Sequence, residues 1–127
     1  MIIDTDVLVW YLKKRPEAAA FIQALPPGER RVSIVSVLEL LQGCRNRTEL
    51  RDAEEFIEGA LAEVLPVTAA ISAAARRIMQ QFALSKRPGA LDTLIAATAL
   101  EEREVLATGN LKHFKFVPGL IIKPFIL

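Results

Sequence analysis

Short apolar runs alternate with helix-patterned segments along this chain, and that alternation restricts it to very few folds. Met1 to Asp4, Arg31 to Val35, Val64 to Val67, Val105 to Thr108 and Leu120 to Lys123 read as strands. Between them, Thr5 to Lys14, Pro16 to Leu25, Ser36 to about Gly43, Thr48 to Ala62, Thr68 to Leu84 and Ala90 to Leu100 read as helices, with Leu111 to Phe114 as a turn. Pro26-Pro27-Gly28 closes one helix and Pro88-Gly89 opens another. In Thr68 to Leu84 the apolar positions Ile71, Ala75, Ile78, Met79 and Phe82 recur at helical spacing, whereas Ala90 to Leu100 is apolar almost all round and therefore a buried helix. Continuously apolar strands separated by helices imply a parallel sheet covered on both faces. Such sheets bind ligands beyond the carboxyl ends of their strands, where the strand order reverses. Asp4 lies at one such end and Thr108-Gly109-Asn110 at another.

Composition limits the alternatives. A chain of 127 residues that is 52% hydrophobic can bury the core of one domain, read here as residues 1–127. The net charge of +1 decides neither for nor against nucleic acid, so any basic surface must be local. One cysteine, Cys44, excludes an internal disulfide, and one histidine, His113, excludes a Cys/His zinc site. No secretory leader pattern and no apolar run of about 18 residues is seen, so a soluble, cytoplasmic protein without membrane contact is expected. The high apolar content suggests that some surface is buried against another chain, and Trp10, Leu12 and Phe21 of the first helical pair are the candidates.

Three carboxylates stand alone in apolar sequence. Asp4 closes Met1-Ile2-Ile3, Glu39 is the only charged residue between Arg31 and Arg45, and Asp92 the only one between Arg87 and Glu101. Each has a purely structural reading. Asp4 and Asp6 can cap the first helix, Ser36-Val37-Leu38-Glu39 is a capping box, and Asp92 sits in a helical first turn where the dipole favours an acid. All three nevertheless fall where the chain begins a helix, which places them near one edge of the sheet. Converging carboxylates repel unless a divalent cation neutralises them, and an oxygen-only ligand set selects Mg²⁺ or Mn²⁺. That chemistry suits phosphodiester hydrolysis by metal-activated water.

Four blocks of the sequence carry a resemblance: Ile-Ile-Asp-Thr-Asp-Val-Leu-Val from Ile2, Ser-Val-Leu-Glu-Leu-Leu-Gln-Gly from Ser36, Asp-Thr-Leu-Ile-Ala-Ala-Thr-Ala from Asp92, and Leu-Ala-Thr-Gly-Asn-Leu-Lys-His-Phe from Leu106. In this order and spacing they resemble the PIN-domain nucleases, and most of all the VapC-type ribonuclease toxins of toxin–antitoxin pairs. The resemblance implies a three-layer α/β/α sandwich with a central parallel sheet of about five strands, a homodimer, a cognate antitoxin and Mg²⁺-dependent cleavage of RNA, with Mn²⁺ able to substitute. It assigns Asp4 and Asp92 as metal-binding acids and Glu39 as the acid completing the site directly or through water. Asn110 stands where many PIN domains carry a fourth acid, which leaves a second tightly held metal in doubt. Thr5, Asp6 and Thr108 are candidates to orient ligands or water.

Arg45, Arg47, Lys86 and Arg87 are the basic residues best placed to meet RNA phosphates. His113 is read as part of a packed turn rather than a general base, since a metal-bound hydroxide needs none. Two other classes stay open: a PIN-like nuclease of RNA or DNA processing, and a noncatalytic α/β binding module.

Overall fold

A computed structural model describes residues 1–127. In chain order it forms β1 (Ile2–Ile3), α1 (Thr5–Leu12), α2 (Pro16–Ala24), a 3₁₀ turn (Pro27–Glu29), β2 (Arg31–Ser33), α3 (Ile34–Gln42), α4 (Arg47–Ala60), β3 (Glu63–Leu65), α5 (Ala69–Phe82), α6 (Ala90–Glu101), β4 (Leu106–Thr108), α7 (Leu111–Phe114) and β5 (Ile122–Pro124). All five strands are parallel, in the order β3-β2-β1-β4-β5. From the central β1 the chain winds outward to β2 and β3, then returns to the other side for β4 and β5. The order therefore reverses at β1, and the crevice this creates opens beyond the carboxyl ends of β1 and β4.

The pleat divides the core into two layers. Ile2 joins Ile71 and Ile78 of α5, Ile95 of α6 and Phe114 of α7 on one face. Its neighbour Ile3 joins Val7 and Leu8 of α1, Ile22 of α2 and Phe56 of α4 on the other. Successive strand side chains point to opposite faces, so two adjacent isoleucines serve both cores and the fold is the expected three-layer α/β/α sandwich. Helix α3 contributes to both, Val35 to the first and Val37 and Leu40 to the second. Helix α6 buries Thr93 and Ile95 through Ala99, as its unbroken apolar run predicts. The buried Thr93 and Thr98 hydroxyls donate to the carbonyls of Gly89 and Leu94, four residues back, so no polar group is stranded there.

The sequence reading differs from the structure at several boundaries. Strand β2 stops at Ser33, whose backbone pairs beside Leu65 and whose Oγ accepts from Val35 N at 3.0 Å, so Ser33 caps α3 and the helix starts at Ile34 rather than Ser36. The predicted Ser36–Glu39 capping box does not exist. Leu111 to Phe114 is a helical turn, not an irregular one, and β5 begins at Ile122 because the β4 register runs Leu106 with Ile122 and Thr108 with Pro124. Trp10 and Phe21 are half-buried against their own core; Lys13 and Arg15 lie over the Trp10 ring and Phe21 packs edge-on against Phe125. No helix is long and apolar enough to cross a membrane.

Candidate active site

Asp4 follows β1 directly and is 3% exposed. Extended backbone at Asp4 sets its side chain as the cap of α1, where Oδ1 accepts from Thr5 N at 2.8 Å. Its other oxygen accepts from the buried Thr108 hydroxyl at the end of β4, 2.7 Å away, and Asp4 N donates to Ala107 O. One carboxylate thus joins the two strands at the switch point. The capping reading of Asp4 holds, but a cap needs only one oxygen and tolerates solvent; this side chain is buried.

Burial pushes the Asp4 carboxyl up to about 7, and the negative charges of Asp6 and then Asp92 add to that rise, against the lowering hydrogen bond from Thr108. Asp6 is raised as well, again mainly by burial. Its Oδ2 accepts from Gly109 N at 2.9 Å, tying the first turn of α1 to the loop after β4. A Cβ on Gly109 would lie 2.8 Å from that oxygen and 3.2 Å from the Phe125 carbonyl, so glycine is required by close approach.

Glu39 reaches the site through an intermediary. Thr5 donates from Oγ1 to Glu39 Oε1 at 2.7 Å and lies 3.0 Å from Ser36 Oγ. Freed from capping, Ser36 and Glu39 occupy successive turns of α3 and face α1. Glu39 also lines a cleft of about 660 Å³ together with Val9, Leu12, Lys13, Leu40 and Arg45. Asp92, in the first turn of α6, has one protein partner: Oδ2 lies 3.0 Å from His113 Nδ1. Asn110 is exposed, its backbone N donates to Thr108 Oγ1 at 3.0 Å, and its side chain makes no hydrogen bond.

The structure therefore brings the charges of Asp6 and Asp92 to bear on Asp4, places Thr108 against Asp4 and Thr5 against Glu39, and sets Asn110 at the rim. No three acidic, histidine or cysteine side chains stand close enough to hold an ion by themselves. The donor set still fits a hard divalent cation. It is oxygen-only, it includes a buried carboxyl whose ionisation lacks a positive neighbour, and no Lys or Arg pairs with Asp4, Asp6, Glu39 or Asp92. Mg²⁺ keeps several waters and commonly takes one or two carboxylates, so Asp4 and Asp92 are the side chains that would hold it together with solvent.

Arg45, Arg47, Lys86 and Arg87 are all exposed. Arg45 is partly engaged, with its guanidinium 2.9 Å from Glu49. Lys86 and Arg87 occupy the loop between α5 and α6 that leads into Asp92. His113 lies in the turn that the sequence indicates, but its contact with Asp92 is not expected from the sequence. Its separation from Asp92 spans α6 and β4, so no local pattern signals the contact.

The sequence pattern of the PIN domain matches residues 1–119. Ribonuclease VapC10 of Mycobacterium tuberculosis is 34% identical over 116 residues, covering 90% of this chain and 85% of its own. The tRNA(fMet)-specific endonuclease VapC of Shigella flexneri is 27% identical over 121 residues, 93% of this chain and 92% of its own. Among solved structures, VapBC-1 from nontypeable Haemophilus influenzae matches with a TM-score of 0.81 at 27% identity, covering 98% of this chain and 96% of that one. The chain belongs to the PIN-domain family, with relatives of the VapC type.

Proposed function

We propose that this protein is a Mg²⁺-dependent endoribonuclease and the toxin of a toxin–antitoxin pair. The observation that carries the reading is Asp4: a buried carboxyl at the switch point, raised to about 7 and facing further acids with no basic partner. A fold gains nothing from such an arrangement unless a cation completes it. Asp4 and Asp92 would hold the ion, with Glu39 contributing through water. When bound, a divalent cation offsets phosphate charge and lowers the pKa of a coordinated water. Thr108 and Thr5 fix the carboxylates of Asp4 and Glu39, Asp6 fixes the Gly109 turn, and Asn110 offers a neutral oxygen or orients water. Arg45, Arg47, Lys86 and Arg87 would receive RNA backbone, which single-stranded loops present best.

Relatives named as VapC ribonucleases and structural neighbours solved as VapBC complexes support a ribonuclease with a cognate antitoxin. An antitoxin basic side chain entering the acid cluster would silence it by taking the cation's place. A cytoplasmic homodimer completes the reading.

Brief induction followed by mapping of new RNA 5′ ends tests it. Discrete cuts with the parent and none with Asp4→Ala are expected. Growth arrest relieved by the neighbouring small gene product separates a toxin from a processing nuclease. Absence of both RNA cleavage and Mn²⁺ binding would make the protein a noncatalytic module.

A further inference from the structure

Every acid of the site except Asp92 is held by a hydroxyl or a backbone amide of the protein: Asp4 by Thr5 N and Thr108, Asp6 by Val7 N and Gly109 N, Glu39 by Thr5. Asp92 receives no such bond. Its side chain is 28% exposed, and its one polar partner is His113 Nδ1 at 3.0 Å from Oδ2. A carboxylate on a helical first turn that is free to change rotamer makes a poor ligand, because ordering it must be offset by the binding it permits.

His113 itself rests on a fixed base. Phe114, the next residue, is fully buried in the core beneath α7. The turn is tied at both ends, with His113 N donating to Asn110 O, Lys115 N to Leu111 O, and Asn110 N to Thr108 Oγ1, the hydroxyl that also holds Asp4. The imidazole is 57% exposed, but its Cα is set by the same strand end that sets Asp4. Its Nδ1 can carry a proton and face a carboxylate whether the ring is neutral or cationic.

Resting on the nuclease reading above, we infer that His113 is a positioning residue for Asp92. It occupies one carboxylate oxygen and leaves the other free, coupling the α6 acid to the β4–α7 turn that carries Asn110. It is not a general base, and it contacts neither substrate nor ion. The contact plays the part that outer carboxylate–imidazole partners play in metal sites, the imidazole still donating to the carboxylate but with the carboxylate, not the imidazole, as the ligand.

Three variants test this by calorimetric Mn²⁺ titration, with RNA cleavage as a second reading. His113→Ala should weaken Mn²⁺ binding about 10-fold, the lower end of the cost of losing an outer partner. Its cleavage rate should fall at low Mn²⁺ and recover when Mn²⁺ is raised, which loss of a substrate contact would not do. His113→Asn, which keeps an N–H near the Nδ1 position, should restore most of the affinity; His113→Gln, which places its N–H near Nε2, should not. Asn110 and Phe114 are untouched in all three, and His113→Asn remains informative if the alanine variant folds poorly. Parental Mn²⁺ affinity in His113→Ala while Asp4→Asn has lost binding would overturn the role of His113 alone. Parental affinity in both would overturn the metal site and His113's role with it.

Discussion

At the amino-terminal ends of the strands acids meet cations, whereas at the carboxyl-terminal ends acids meet one another. Arg31, the first residue of β2, lies 2.6 Å from Glu104, 2.9 Å from Glu63 and 3.5 Å from Glu102. The amino group of Met1 and then Arg31 hold the Glu104 carboxyl below the usual carboxylate range. At the other end of β1 Asp4 is pushed up to about 7 by burial and by Asp6 and Asp92. A carboxylate is thus stabilising at one end of the sheet and destabilising at the other. Paired acids hold strands together, whereas unpaired buried acids carry a repulsion that an external cation would relieve.

The largest effect should come from breaking the unpaired end. Asp4→Asn and Asp92→Asn are each expected to lower Mg²⁺-dependent RNA cleavage by roughly 100-fold or more, beyond the 10–100-fold range of outer-partner losses, while the proteins stay folded. Gel assays on a defined RNA together with thermal melts check both halves. By contrast Arg31→Met should leave cleavage unchanged and cost about 1 kcal/mol of stability, because it removes the cation shared by Glu63, Glu102 and Glu104 while Glu104 keeps the Met1 amino group. If Arg31→Met abolished cleavage without unfolding, the two ends would not be separable as argued.

The ends should also titrate in opposite senses. Asp4 binds its proton more tightly folded than unfolded, so its contribution favours the fold at low pH and is lost as pH rises from about 4 through about 7. Asp6, also raised, acts in the same direction. Glu104 is lowered, so its contribution is present above the unfolded value of 4.5 and lost as pH falls through the folded value. Denaturant melts of metal-free protein should therefore show stability declining between about pH 4 and pH 7, and Asp4→Asn should flatten that decline. A parental profile in Asp4→Asn would assign the slope to other groups.

One added acid should have a smaller effect. Asn110→Asp adds an acid to the end that lacks cations, and Mn²⁺ should bind about 10-fold tighter because ligand charge count tunes such sites. Unchanged affinity by calorimetry would place Asn110 outside the site.

Much of this architecture is legible in the chain because its signals are local. The apolar strands, Pro26-Pro27-Gly28, the helical spacing of Ile71, Ala75, Ile78, Met79 and Phe82 in α5 and the all-round apolar α6 each announce themselves within a few residues. The isolation of Asp4, Glu39 and Asp92 in apolar sequence is equally local. Ser33 and Ser36 are spaced by three, so either can cap α3, and only the pairing of Ser33 beside Leu65 on β3 decides. The misplaced cap hid the reason Glu39 faces Thr5. His113 against Asp92 and Gly109 against Asp6 are contacts between distant segments, set by strand order rather than by spacing, and no periodicity reports them.

On the proposed reading the carboxyl-terminal end of the sheet is built for a divalent cation. Thermal melts at pH 8 with and without millimolar Mg²⁺, on the parent and on Asp92→Asn, test it most directly. The parent should melt at a higher temperature in Mg²⁺, by an amount that grows with its concentration, and Asp92→Asn should not respond. No shift in the parent, or an equal shift in Asp92→Asn, would contradict the claim.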